Sequence, residues 1–305
     1  MTECAITHVR YVALGVRDLS AQREFYRDEW GLQDRASDSD LQYFGAVEST
    51  DPFILRLRQA DSDRLDLVSF AVPSASDVDA AAARMRSQGV RLLSEPHESS
   101  GPGGGYGFRF FDHEGRTLEV LAEVQAGPAR TLEERDWHPG HLSHVVINSL
   151  DIEKAAAWYG THLGLLPSDR LSDVMVFMRG NSSSHHMMAI AHGPYVNVNH
   201  VAYETRGIDE YLRASGRLMR SGLPCVWGPG RHGPGDNTFA YFNDRAGFVA
   251  EYTTALQSVD DWSAWTPRVH PITPEWSDQW GTACARNPEP FLGKPDLGVF
   301  EAPPV

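Results

Sequence analysis

Three residues in the second half of this 305-residue chain have the chemistry of a metal site. His144 lies in HLSHVVINS, His200 in NVNHVAYE and Glu251 in TFAYFNDRAGFVAEYTT. Each run is short, apolar and bounded by turn residues, which reads as a strand. Side chains from separate strands of one curled sheet can converge on a point inside it. Two imidazoles and one carboxylate form the donor set of non-haem Fe(II) sites, which leaves coordination positions open for reactants. Either histidine alone is more simply a core residue. Two histidines and a glutamate at interior strand positions are not.

A second group surrounds the first. His185 and His186 open the expected strand HHMMAIAH, and His232 follows Gly-Arg in GPGRHGPGDNTFAYF. Tyr241 stands ten residues before Glu251, so the two share a face if the hairpin turn between them adds no odd residue. A histidine beside a metal can move protons near neutral pH. A tyrosine hydroxyl can hold a ligand oxygen. Taken alone, His232 is a loop histidine and Tyr241 is strand packing.

The chain contains its own control. YVALGVRDLSAQREFY (11–26) and HLSHVVINSLDIEKAAAWY (141–159) share a strand, an aspartate before a helix and an aromatic pair. Asp18 and Asp151, Tyr26 and Tyr159, and Gly31 and Gly164 are each 133 residues apart. LDLVSFAV (65–72) aligns with VNHVAYET (198–205) at the same offset, and FFDHEGRTLEV (110–120) with FNDRAGFVAEY (242–252) at 132. A domain of about 130 residues is therefore duplicated. The first-copy counterparts of His144, His200 and Glu251 are Tyr11, Leu67 and Glu119. Only the second copy keeps the metal chemistry. GPGGGYG (101–107) precedes a strand and not a helix, so it is a relic of the His232 loop and not a phosphate loop.

Each copy reads as strand, helix and several strands, twice over. DIEKAAAWYGTHL is a helix with Asp151 placed to cap it. GIDEYLRASGRLMRSG is another, stopped by Gly222. TFAYFNDRAGFVAEYTT is a hairpin turning at Asp-Arg-Ala-Gly. The expected fold is α+β: two tandem domains, each of paired βαβββ modules curling a sheet around a cavity. The expected boundaries are 1–130 for a domain without metal, 138–275 for a catalytic domain and 276–305 for a tail that would serve as a lid.

Composition narrows the classes of function. Hydrophobic residues make up 41% and charged residues 22%, an ordinary globular balance. The net charge of −14 and the lack of a basic stripe argue against nucleic acid. No apolar run approaches the ~20 residues of a membrane span, and MTECAITHVR does not read as a signal peptide, so the cytoplasm is expected. Cys4, Cys225 and Cys284 are few and far apart, which suggests reduced thiols.

Taken together, these motifs resemble the two-domain type I extradiol (catechol 2,3-dioxygenase-like) dioxygenases of the vicinal oxygen chelate superfamily. The strongest stretch is GRHGPGDNTFAYFNDRAGFVAEY, with LSHVVI, HHMMAI and NHVAYE as further matches. The resemblance implies that His144, His200 and Glu251 bind Fe(II), with Mn(II) as an alternative. It implies that His186, in preference to His185, is the acid–base group, and that His232 and Tyr241 contact the substrate oxygens. The implied reactants are a catechol and O₂, in aromatic catabolism, with no nucleic-acid or membrane partner and a homo-oligomeric state. Arg245 after Asp244, where a proline is usual, and Ala240, where a larger aliphatic is common, depart from the pattern. The rival readings are a glyoxalase-like isomerase or lyase, whose sites commonly draw ligands and more than one carboxylate from both modules, and a non-enzymatic binding protein. The tail carries Trp262, Trp265, Trp276 and Trp280. Its run Trp276–Gly281 lacks the arginine that holds a carboxylate in homoprotocatechuate-cleaving relatives. An uncharged catechol is therefore expected, with Arg268 as the cation that could still reach in.

Overall fold

The computed structural model describes residues 5–304. The first eight strands are β1 (His8–Val16), β2 (Gln33–Ser37), β3 (Leu41–Gly45), β4 (Leu55–Gln59), β5 (Arg64–Ala71), β6 (His97–Glu98), β7 (Tyr106–Phe111) and β8 (Thr117–Ala122). They form one sheet in the order β2-β3-β4-β1-β5-β8-β7-β6. The next nine are β9 (His141–Ser149), β10 (Leu166–Leu171), β11 (Met175–Arg179), β12 (Met188–His192), β13 (Asn197–Glu204), β14 (Cys225–Arg231), β15 (Thr238–Asn243), β16 (Val249–Thr253) and β17 (Val269–His270). These form a second sheet in the order β14-β15-β16-β13-β9-β12-β11-β10-β17. Helices α1 (Leu19–Glu24), α2 (Ala75–Ser87), α3 (Ile152–Leu163) and α4 (Ile208–Arg220) pack on the sheets, and α5 (Pro274–Ser277) and α6 (Glu289–Leu292) belong to the C-terminal segment.

The repeat in sequence is a repeat in register. Val12 pairs with Leu55 in parallel β1 and β4, and Val145 with Met188 in parallel β9 and β12. The central pairs β1–β5 and β9–β13 are antiparallel in both copies. Local chemistry sets the helix ends. Asp151 accepts the Lys154 amide at 3.0 Å and Gly164 closes α3 with φ of 74°, a left-handed C-terminal position that glycine tolerates best. Asp18 accepts the Ala21 amide at 3.0 Å in the first copy, but α1 then runs into a π-helical turn, Phe25–Glu29.

The residues that reveal the duplication also join its halves. Tyr26 donates to Asp244 at 2.9 Å, and Tyr159 donates to Asp112 at 2.9 Å. Each helix tyrosine thus reaches the hairpin aspartate of the other copy, and all four residues are buried. Trp30 stacks on Tyr252 at 3.9 Å across the same seam, and one continuous apolar core spans both domains. Arg245 pairs with Glu29 and lies over the Phe25 ring, so the departure at the hairpin turn serves the contact between domains. Ala240 is fully buried in the shared core.

One sequence expectation shifts in detail. His185 and His186 precede β12, which begins at Met188, and do not open it. Beyond the repeat, β17 adds a strand against β10. The chain then returns to the first domain, where the Leu65 amide donates to Asp296 at 2.9 Å and the Phe300 amide to the Gly115 carbonyl at 2.7 Å. Cys225 and Cys284 are free thiols, and Cys4 lies outside the described residues.

Candidate metal centre

His144 comes from β9, His200 from the neighbouring β13 and Glu251 from β16 on the other side of β13. A β-bulge between Val198 and His200 sets the local aim of β13. One donor atom from each residue lies within 4.8 Å of the others. Nε2 of His144 is 3.3 Å and Nε2 of His200 is 3.1 Å from the same Glu251 oxygen. Burial lowers the His144 pKa to about 3 and also depresses His200, where Glu251 opposes the shift. Both imidazoles are therefore neutral, as a ligand must be. Burial raises the Glu251 carboxyl, with His200 opposing it. Nε2 of His200 and both Glu251 oxygens are buried without a hydrogen-bond partner. A buried carboxylate beside two neutral imidazoles is costly unless a cation sits among them. The residues fit a divalent ion.

The orientation of His200 is fixed from behind. Its Nδ1–H donates to Asn199 Oδ1 at 2.7 Å, which leaves the Nε2 lone pair facing the centre. Asn199 donates to Asn148 at 2.8 Å and to the Phe291 carbonyl at 3.1 Å. Asn148 donates to Asn197 and to that same carbonyl, both at 2.7 Å. Asn197 ends the ladder on the Leu292 and Lys294 carbonyls. Asn199→Leu is expected to weaken Mn(II) binding by ~10–100-fold without unfolding the protein. Titration of the metal-free protein, alongside a thermal melt, measures this. Unchanged affinity would show that Asn199 only packs.

The first copy shows the same geometry with its chemistry removed. Tyr11 and Ser69 each donate to Glu119 at 2.8 Å, and Arg109 donates to its other oxygen at 2.9 Å. Arg109 stands opposite Glu119 in the β7–β8 pair, as Tyr241 stands opposite Glu251 in β15–β16. A built-in guanidinium thus satisfies the carboxylate. Tyr11, Phe53 and Leu67 form a small apolar cluster. The Tyr11 and Phe53 rings lie 4.6 Å apart, as do the His144 and His186 rings.

The flanking residues sort themselves. His186 faces His144, whereas His185 turns away to bring its Nε2 within 3.2 Å of Asp169. Burial, and then the neighbouring imidazoles, push His186 well below the ordinary histidine range. Tyr241 lies 5.1 Å from the His200 ring and its hydroxyl is 2.9 Å from His232 Nε2. The His232 Nδ1–H donates to the Ser277 carbonyl at 3.1 Å, so Nε2 accepts from Tyr241. Burial brings His232 down to about 3. Trp227 lies parallel to Tyr241 and tilted against His232, and borders a cavity of about 540 Å³ lined also by Ser277, Trp280 and Arg286. Trp262 and Trp265 donate to the Ser182 and Ser168 carbonyls at 2.7 and 2.8 Å, while Trp276 covers His270.

The model of the Glyoxalase/Bleomycin resistance protein/Dioxygenase superfamily matches residues 6–120 and 141–252. The chain belongs to this superfamily. The two matched segments fall one in each sheet, with β17 lying beyond the second. Among solved structures, the Mn(II)-bound glyoxalase from Novosphingobium aromaticivorans superposes with a TM-score of 0.92 at 38% identity, covering 98% of each chain. Among similar proteins, metapyrocatechase 2 of Cupriavidus necator is 26% identical over 282 residues, 86% of this chain and 85% of its own. The manganese-dependent 2,3-dihydroxybiphenyl 1,2-dioxygenase of Geobacillus genomosp. 3 is 22% identical over 254 residues, 77% of this chain and 80% of its own.

Sequence reasoning missed three features of the site. The asparagine ladder had a signal, since Asn197 and Asn199 alternate along the strand beside His200. Asp169 had none, because its partner His270 lies 101 residues away. Arg286 follows a run that held no arginine.

Proposed function

We propose that this chain is an extradiol dioxygenase, opening a catecholic ring beside its vicinal diol with O₂ and an Fe(II) held by His144, His200 and Glu251. Mn(II) is the alternative metal, in keeping with the manganese named in two of the similar proteins. The observation that carries the reading is one buried cluster of three donors with His186 against His144 and the Tyr241–His232 pair against His200. The bound ion would acidify the diol hydroxyls and bring the two reactants together.

The side chains supply the rest. Buried, neutral His186 takes a proton from the substrate and returns it to oxygen as the ring opens. The Tyr241 hydroxyl gives its proton to His232, so its oxygen is left to accept from a diol hydroxyl, and the pair holds the ring in place. The expected product is a yellow semialdehyde of the 2-hydroxymuconic type. The wider reading, of a cytoplasmic homo-oligomer with domains at 1–130 and 138–275 and a tail closing the site, belongs to the same proposal.

The similarity to the Mn(II)-bound glyoxalase supports a second reading, a metal-dependent isomerase. All three donors come from one domain, and Arg109 already occupies Glu119 of the other. That favours ring cleavage. Offering the metal-loaded protein a thiol–ketoaldehyde adduct and a catechol in parallel separates the two. Isomerisation without O₂ uptake would overturn the dioxygenase reading.

The substrate expectation also changes. Arg268 pairs with Asp169 at 3.5 Å. Arg286 instead places its guanidinium 5.0 Å from the Trp227 and Phe291 rings, at the cavity and without a carboxylate partner among the described residues. A ring substituent bearing an anion would meet it. Arg286→Met is expected to lower kcat/KM for a carboxylated catechol by ~10–100-fold, the usual worth of a charged hydrogen bond. Plain catechol should change little. Equal losses on both substrates would reduce Arg286 to packing.

A further inference from the structure

Behind His186 runs a buried line of polar groups that the reaction above does not use. Nδ1 of His186 lies 3.0 Å from Nδ1 of His185, and Nε2 of His185 lies 3.2 Å from Asp169 Oδ2. His185 and Asp169 are completely buried. Asp169 is also held by His270 Nε2, 2.7 Å from the same Oδ2, and by the Arg268 amide, which donates to Oδ1 at 2.7 Å. Both of these come from the segment that adds β17 to the sheet. Burial alone would raise the Asp169 carboxyl, but the hydrogen bonds from His185 and His270 outweigh it and keep it below its ordinary range. It is an acceptor.

The proton positions follow in sequence. A carboxylate only accepts, so Nε2 of His185 carries its proton. With that proton on Nε2, Nδ1 of His185 presents its lone pair and accepts from His186 Nδ1–H. His186 is left with its Nε2 lone pair free. The same logic orients ligand and catalytic histidines elsewhere through the partner of their other nitrogen.

The duplicated domain again gives the comparison. The residues 133 positions before Asp169, His185 and His186 are Ala36, Pro52 and Phe53. The registers agree, since β2 and β10 carry matching irregularities at Asp34/Ala36 and Pro167/Asp169. The line of polar groups is therefore present in the copy with the metal donors and absent from the copy without them.

We propose that Asp169 and His185 are positioning residues that fix His186 in its Nδ1–H tautomer, so that Nε2 is the atom that exchanges protons with the substrate. The inference rests on the dioxygenase reading for its kinetic consequence but not for the tautomer itself. The test uses full-length protein and two substitutions. Glutamine at 185 can accept from His186 through its carbonyl and donate to Asp169 through its amide, whereas phenylalanine can do neither. On protein loaded with diamagnetic Zn(II), ¹⁵N NMR of labelled histidines should show His186 as the Nδ1–H tautomer in wild type and His185→Gln, and as a mixture or the other tautomer in His185→Phe. With Fe(II), His185→Phe should lose kcat by ~10–100-fold, the usual effect of removing such a partner, with metal content and KM for the catechol retained. His185→Gln should stay within a few-fold of wild type. Equal losses in both variants, or an unchanged tautomer in His185→Phe, would overturn the proposal. If no protein opens any ring, the function reading fails, and the NMR result still decides the tautomer.

Discussion

His144→Ala, His200→Ala and Glu251→Ala are each expected to empty the metal centre and abolish turnover, while Tyr11→Phe and Glu119→Gln should retain a full complement of metal. The asymmetry between the copies dictates this. The second-copy donors are buried, and His200 Nε2 and both Glu251 oxygens lack hydrogen-bond partners. Removing any donor from a three-donor set leaves too few to hold a divalent ion against water. The first copy carries its own cation, with Arg109 on Glu119. Glu119→Gln breaks a buried ion pair and should cost about 3–5 kcal/mol of stability, seen as a lower Tm with unchanged metal. Metal content is read by elemental analysis of anaerobically purified protein. Full metal in the three alanine variants, or loss of metal in the first-copy variants, would refute the assignment.

His186→Ala should keep its metal and bind a catechol anaerobically, yet turn over ~10²–10⁴-fold more slowly, the usual worth of one acid–base group. His186 is buried against His144 without being part of the donor cluster. Its removal therefore touches proton transfer more than metal binding. Stopped-flow binding and steady-state kcat, measured on the same preparation, separate the two. Turnover within a factor of two of wild type would make His186 a packing residue.

Much of this was legible because the chain is written twice. Spacing alone brought Asp18 and Asp151, and Tyr26 and Tyr159, into line, and the same offset exposed Tyr11 and Leu67 as the silent counterparts of two metal donors. Strand alternation allowed Tyr241 and Glu251 one face, and the structure pairs them directly across β15 and β16. What stayed hidden depends on side chains that meet only after the tail folds back. Asp169 is an unremarkable strand aspartate until His270 and Arg268 close on it. Arg286 lies outside the repeat and outside the run where an arginine was sought. The resemblance already preferred His186 to His185; the structure adds that His186 faces His144 while His185 turns to Asp169.

The central claim is that the second-copy centre uses O₂ to open a catechol. The most direct test is oxygen uptake by Fe(II)-loaded protein on catechol, 3- and 4-methylcatechol, 2,3-dihydroxybiphenyl, protocatechuate and homoprotocatechuate. Fe(II)-loaded protein should consume one O₂ per ring and form a yellow product on at least one of these, and His144→Ala should show no uptake. Metal-loaded protein that consumes no O₂ on any of the six would contradict it.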